Sequence, residues 1–237
     1  MSPWNVACHF TINSNKCLNK ILFKDLWPAV DNLKLANMVD SLMKYPKRVV
    51  SIQGTDRSYR ELRTFLNVTK WIDDNVLNQY LCLFQLQNKV EHSWICSSFE
   101  FSAMERNQNM SHLVHKICSF HQLLMPVNIA QHWLVVAFYP HCRKMYVYDS
   151  LFNKKNEHLE KIFRQFWSHC KSIKGWKTDL KIIYRNAPKQ DDTWSCGLYA
   201  ISFIKSLQAG ITMPKINDEL INIRQKILFT ILEREIN

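Results

Sequence analysis

Residues 190–200 read QDDTWSCGLYA, and this stretch decides the fold. Up to Ser195 the run is polar and turn-like. From Cys196 it is apolar almost without a break as far as Ala209, and Gly210 follows as a natural helix C-cap. A helix that is apolar on every side belongs at the centre of a domain. Cys196 opens that helix. A thiol there is either a small packing residue or a nucleophile, because a helix start stabilises a thiolate.

Outward from this helix, residues 121–128 (HQLLMPVN), 131–140 (QHWLVVAFYP) and 144–151 (KMYVYDSL) are short and rich in β-branched and aromatic residues, with turn residues between them. They read as strands, with PHCRK as a hairpin connection. Residues 180–190 (LKIIYRNAPKQ) read as a further strand running into a loop. Helical spacing recurs over 69–87, 155–172 and 216–235, and over 19–45, where Pro28 starts or kinks one piece. No repeat and no Pro/Gly/Ser linker divides the 237 residues. The apolar fraction, 47 %, is enough for a real core. The fold class is α+β: a small mixed sheet flanked by helices, with Cys196 at the N-terminus of a central buried helix. Residues 1–50 read as a helical extension and 51–237 as one functional domain.

A cysteine nucleophile needs a base to take its proton and a group to orient that base. His132 opens one strand and Asp149 ends the next. If these strands are adjacent and antiparallel, both residues fall at one end of the sheet, as an orienting carboxylate requires. The loop before Cys196 offers Gln190, whose amide can donate to a developing oxyanion together with the Cys196 backbone N–H. Gly197 then leaves room for a substrate backbone. Nine histidines and eight cysteines permit many such triplets, so spacing alone leaves the inert packing role of Cys196 open.

The formal net charge of +11 favours an acidic partner: nucleic acid, an acidic protein face or an anionic surface. The charge reads as spread along the chain, densest at 45–48 and 153–156, so a solvated basic surface comes ahead of a dedicated nucleic-acid contact. The N-terminus lacks a basic then apolar leader, and WLVVAF is far too short to span a bilayer. The expectation is an intracellular protein, nuclear or cytoplasmic, monomeric, with no membrane partner and reduced thiols. His112, His115, Cys118 and His121 lie three apart, but no second ligand pair accompanies them. No metal and no cofactor is expected.

The ordered set KWIDDNVLNQYL (70–81), MPVNIAQHWLVV (125–136), YVYDSL (146–151) and QDDTWSCGLYAISFI (190–204) resembles the ubiquitin-like-protein-specific cysteine proteases, the SUMO-protease family. The likeness runs from about Ser58 to Phe203. It implies an α+β fold with a papain-like site. Cys196 would be the nucleophile, His132 the base and then the acid, Asp149 the orienting residue and Gln190 part of the oxyanion hole. By the same resemblance Trp71 and Trp133 wall a tunnel that admits only a Gly-Gly tail. Asp74 meets a basic group on a ubiquitin-like partner. The implied reaction is cleavage after that tail through a thioester acyl-enzyme.

The chain departs from the family in places. Ser195 stands where an acidic residue usually precedes the nucleophile. Thr193 and Trp194 replace small residues, so Trp194 is expected to shape the leaving-group side of the cleft. Ile72 and Asp73 replace leucine and asparagine. Two rival readings remain. One is a viral or mobile-element protease that processes a Gly-containing polyprotein. The other is a non-catalytic module that holds a ubiquitin-like protein.

Overall fold

The computed structural model describes residues 27, 30–52, 55–88, 90–108, 110–152 and 154–236. Its centre is a mixed five-stranded sheet of β3 (Ser93–Ile95), β4 (Gln122–Ile129), β5 (His132–Tyr139), β6 (Lys144–Tyr148) and β7 (Lys181–Arg185), in that spatial order. The inner pairs β4–β5 and β5–β6 are antiparallel, and the outer pairs β3–β4 and β6–β7 are parallel. A separate hairpin joins β1 (Val49–Ile52) to β2 (Thr55–Ser58).

The central strand is apolar throughout because both of its faces are covered. Trp133, Val135 and Ala137 point into one core, and Leu134, Val136 and Phe138 point into the other. The first core is closed by α3 (Asp74–Gln87), α7 (Cys196–Ala209) and α8 (Leu220–Ile236). The second is closed by α4 (Ser98–Glu105), α5 (Met110–Ile117) and α6 (Glu157–Lys174). As the unbroken apolar run requires, α7 is buried from Cys196 to Ser206 and ends at Gly210 with φ 67°.

Local chemistry fixes the ends that matter. The carboxylate of Asp73 accepts the N–H groups of Asn75 and Val76, so Asp73 is the N-cap of α3 and Asp74 lies in its first turn. A two-residue turn, Ala130-Gln131 at φ 50° and 64°, joins β4 to β5 and makes His132 the first residue of β5. Short α2 (Tyr59–Thr64) starts at a capping box between Ser58 and Glu61. Of the helix read over 19–45, the structure describes α1 (Asn32–Lys44), which packs against α2 and α8. Pro28 and the part of that helix before Trp27 lie outside the described residues.

The positive charge is less evenly spread than the sequence reading has it. Residues 141–189 hold twelve Lys/Arg against four Asp/Glu, net +8 of the total +11. Seven of the twelve lie on β6, β7 and α6, and the other five on the segments that flank and connect them. Among the described residues no helix is long and apolar enough to cross a membrane.

Candidate active site

The antiparallel pairing of β5 and β6, with Val135 opposite Tyr148, brings the start of one strand beside the end of the next. His132 Nε2 lies 2.8 Å from Asp149 Oδ1. This leaves Nδ1 for the thiol, and the imidazole is hydrogen-bonded to Cys196 at the first residue of α7. Burial disfavours the imidazolium, but the hydrogen bonds to Asp149 and Cys196, with their charges, outweigh it and raise His132 to about 9. Asp149 is pushed upward by burial too. Its bonds from His132 and from the Phe152 and Leu151 backbone N–H groups prevail and hold it below the ordinary carboxylate range. The one oxygen, Oδ1, accepts all three bonds, those from Leu151 and Phe152 at 2.7 and 3.0 Å.

The loop leading to Cys196 is cross-braced. Asp192 Oδ1 accepts the backbone N–H groups of Trp194 (2.9 Å) and Ser195 (2.7 Å). Gln190 is buried. Its backbone N–H donates to Ser150 O (2.9 Å), and its Oε1 accepts from Ser150 Oγ (2.6 Å). One Nε2 proton goes to Asp192 O (2.7 Å), which leaves the second free for another acceptor. Tyr199, one turn into α7, donates its hydroxyl to Lys189 O at 3.1 Å. Ser195 is fully buried, and among the described residues its hydroxyl has no partner.

The room expected at Gly197 is already filled. A Cβ there would stand 3.0 Å from Ile72 Cβ and 3.2 Å from Trp133 Cδ1. Glycine is needed at this position so that the start of α7 can press against Ile72 and Trp133. Trp133 is 2 % exposed and donates its indole N–H to Ile72 O at 3.1 Å. Trp71 is 50 % exposed and bonds across to the loop before Cys196, from Nε1 to Thr193 O at 3.0 Å. Trp194, two residues before Cys196, is half-buried. Asp74 is half-buried too, its carboxyl raised by burial and then by Asp73. Cys196 itself exposes 2 % of its surface.

Several residues of the site have no forewarning in the sequence reading. Phe152 is 51 % exposed and packs edge-on against the His132 ring at 5.7 Å between centroids. Buried Arg224 of α8 donates to Phe65 O (2.9 Å) and to Lys70 O, pinning the segment that delivers Trp71. Arg57 bonds Asp73 at 3.2 Å. Lys189 donates to two carbonyls of the Asp149 turn. Only Phe152 carried a local signal, an aromatic directly after the DSL turn. Among the described residues no group of three or more His, Cys, Asp or Glu side chains is placed to hold a metal ion.

The fold is shared with solved proteases. The C-terminal Ulp1 protease domain, solved in complex with Smt3, the yeast ortholog of SUMO, superposes with a TM-score of 0.72 at 16 % identity, covering 90 % of this chain and 99 % of that one. The catalytic domain of the Ulp1-like SUMO protease of Chaetomium thermophilum gives 0.70 at 14 % identity over 87 % and 91 %. The Xanthomonas campestris effector XopD, bound to ubiquitin, gives 0.51 at 17 % identity over 66 % and 90 %. No curated protein matches the chain in sequence. The family model for the C-terminal catalytic domain of the Ulp1 proteases matches residues 36–236, nearly the whole described region. With a thiol, an imidazole and a carboxylate joined at the seam of sheet and helix, the chain belongs to the Ulp1 protease family of cysteine peptidases.

Proposed function

We propose that the protein cleaves after the C-terminal Gly-Gly of a ubiquitin-like protein of the SUMO type, as a maturation or deconjugation enzyme. The observation that carries this reading is His132, bonded on one side to Asp149 at 2.8 Å and on the other to Cys196. The Cys196 sulfur, its proton on His132, attacks the carbonyl carbon of the terminal glycine. The oxyanion is held by the Cys196 N–H, unpaired at the helix start, and by the second Nε2 proton of Gln190. The C–N bond then breaks, His132 protonates the departing amine, and a thioester remains. Water, deprotonated by His132, attacks that thioester, releases the glycine carboxylate and restores the thiol.

The near-complete cover over Cys196, with exposed Trp71 bonded to Thr193 of the loop before it, supports a tail without side chains. Complexes of two relatives with Smt3 and with ubiquitin support the substrate class. In this reading Asp74 meets the partner and Trp194 the leaving-group side. The net +8 of residues 141–189 supports an acidic partner, and a salt-sensitive contact with nucleic acid is the second binding reading.

The test is a panel of ubiquitin-like proteins bearing a C-terminal electrophile, offered to wild type and Cys196→Ala. Covalent capture by wild type alone identifies nucleophile and substrate together. Cleavage of a Gly-containing polyprotein peptide without capture of any ubiquitin-like protein points to the processing protease instead. Equal binding by both forms, with no turnover, points to a holding module.

A further inference from the structure

The turn that aims Asp149 at His132 is closed by a side chain outside the triad. Lys189 Nζ donates to Asp149 O at 2.8 Å and to Phe152 O at 3.1 Å, the first and last carbonyls of residues 149–152. Its neighbour Gln190 holds the carbonyl and the hydroxyl of Ser150 between them. Inside the turn, Asp149 Oδ1 accepts the Leu151 and Phe152 N–H groups and His132. The carboxylate therefore fixes the inner side of the turn and Lys189 its outer side. The Lys189 carbonyl is tied through Tyr199 to the nucleophile's own helix. Among the described residues Lys189 forms no ion pair, so its protons go to these carbonyls and to no carboxylate.

We infer that Lys189 is a positioning residue that holds Asp149 in register with His132 and so sets how strongly the imidazole keeps its proton. The inference rests on the proposed thiol mechanism for its consequence in turnover, but not for its consequence in the ring. A single oxygen serving three donors cannot follow a turn that shifts by a few tenths of an ångström without losing one of them. The strongest of the three by charge is the bond to the imidazolium.

The sign of the effect separates positioning from mere charge. Lys189 is a cation near the imidazolium. If it acted only through space, its removal would make His132 easier to protonate and move the alkaline limb of the rate upward. If it acts by holding Asp149, its removal weakens the His132–Asp149 bond and moves that limb downward. A role confined to fold stability would lower Tm and leave the limb where it is.

The experiment compares Lys189→Met and Lys189→Arg with wild type in two measurements. The first is the pH profile of kcat and KM on the captured substrate. The second is the NMR titration of the His132 ring with Cys196→Ala in every protein, which reads the imidazole whether or not the enzyme turns over. For Lys189→Met the expected result is a loss in kcat of about tenfold at an unchanged KM, and an alkaline limb and ring midpoint about one pH unit lower. Lys189→Arg, which can still reach both carbonyls, is expected to recover most of both. An unmoved or upward-shifted ring midpoint in Lys189→Met overturns the inference, as does an arginine variant no better than the methionine. Failure of the thiol mechanism itself would appear separately, as wild-type protein that is never labelled at Cys196.

Discussion

Gly197→Ala sets two opposing effects against each other, and the structure decides between them. Replacing glycine by alanine inside a helix gains up to about 1 kcal/mol in propensity, less at the second residue of the helix where Gly197 stands. Against this, the new methyl would lie 3.0 Å from Ile72 Cβ and 3.2 Å from Trp133 Cδ1. Ile72 Cβ is bonded to the main chain and cannot rotate away. The Trp133 indole is tethered to the Ile72 carbonyl and buried on all sides. Relief therefore needs a backbone shift, and overpacking of this kind costs about 1–3 kcal/mol. The net expectation is a loss of about 1–2 kcal/mol, or a Tm lower by roughly 3–6 °C for a chain of this size. The shift needed to relieve the clash moves Cys196, the neighbouring residue, away from His132. Labelling of Cys196 by an electrophile should slow by about tenfold. Calorimetry and labelling kinetics on the same sample test both. A variant that melts at or above the wild-type temperature and reacts at the wild-type rate would refute the packing account of Gly197.

Three further outcomes follow from the same geometry. Asp149→Asn removes the partner that keeps His132 charged, so the alkaline fall of kcat/KM should move from about pH 9 toward the ordinary histidine range, with a large loss of kcat in the pH profile. For stability the sign is that of a raised base: the stabilisation from the charged His132 is present below its unfolded value of 6.5 and is lost as pH rises through about 9. Lys205 is buried on α7, donates to Tyr80 Oη at 2.7 Å and lies 3.8 Å from the Trp27 ring, and burial lowers it from 10.5 to about 7. The unfolded chain then binds the extra proton between those values. The unfolding free energy of wild type, measured with denaturant, should therefore rise relative to Lys205→Met by about 2 kcal/mol from pH 7 to pH 9. Ser195→Asp restores the acid usual in the family at a fully buried position, and should lower Tm with no compensating gain in rate, since the resident hydroxyl already lacks a partner.

The sequence revealed most where burial imposes a long apolar pattern. The long apolar run of α7 and the strands β4–β6 could be read directly, because burial keeps most of their positions apolar and the few polar residues, such as Lys205 in α7, do not break the pattern. The meeting of His132 and Asp149 was legible for a related reason: only a short turn separates their strands, which forces antiparallel neighbours. The β1–β2 hairpin was not, since strands of four residues such as TDRS carry no usable alternation. The role of Gly197 was misread because what approaches a glycine, here Ile72 from another element, leaves no trace in its own neighbourhood. Lys189 was invisible for the same reason, since its two acceptors lie 40 and 37 residues away. The charge was countable, and so was its concentration in residues 141–189, which a search for short dense patches passed over.

The departures before the nucleophile make sense together once Asp192 is placed. An acid directly before a cysteine at a helix start would supply negative charge where the helix dipole is positive. In this chain that position, Ser195, is fully buried, and a charge there would be left without solvent or partner. The carboxylate instead stands three residues earlier. From Asp192 it reaches forward to the N–H groups of Trp194 and Ser195, two donors at the mouth of α7 that would otherwise go unpaired. The same residue receives Gln190 on its carbonyl, so one aspartate fixes both the helix entry and the amide expected to face the oxyanion. With the loop braced from Asp192, the position before Ser195 is free to carry a bulky side chain. Trp194 can therefore stand two residues before the thiol without loosening the helix entry.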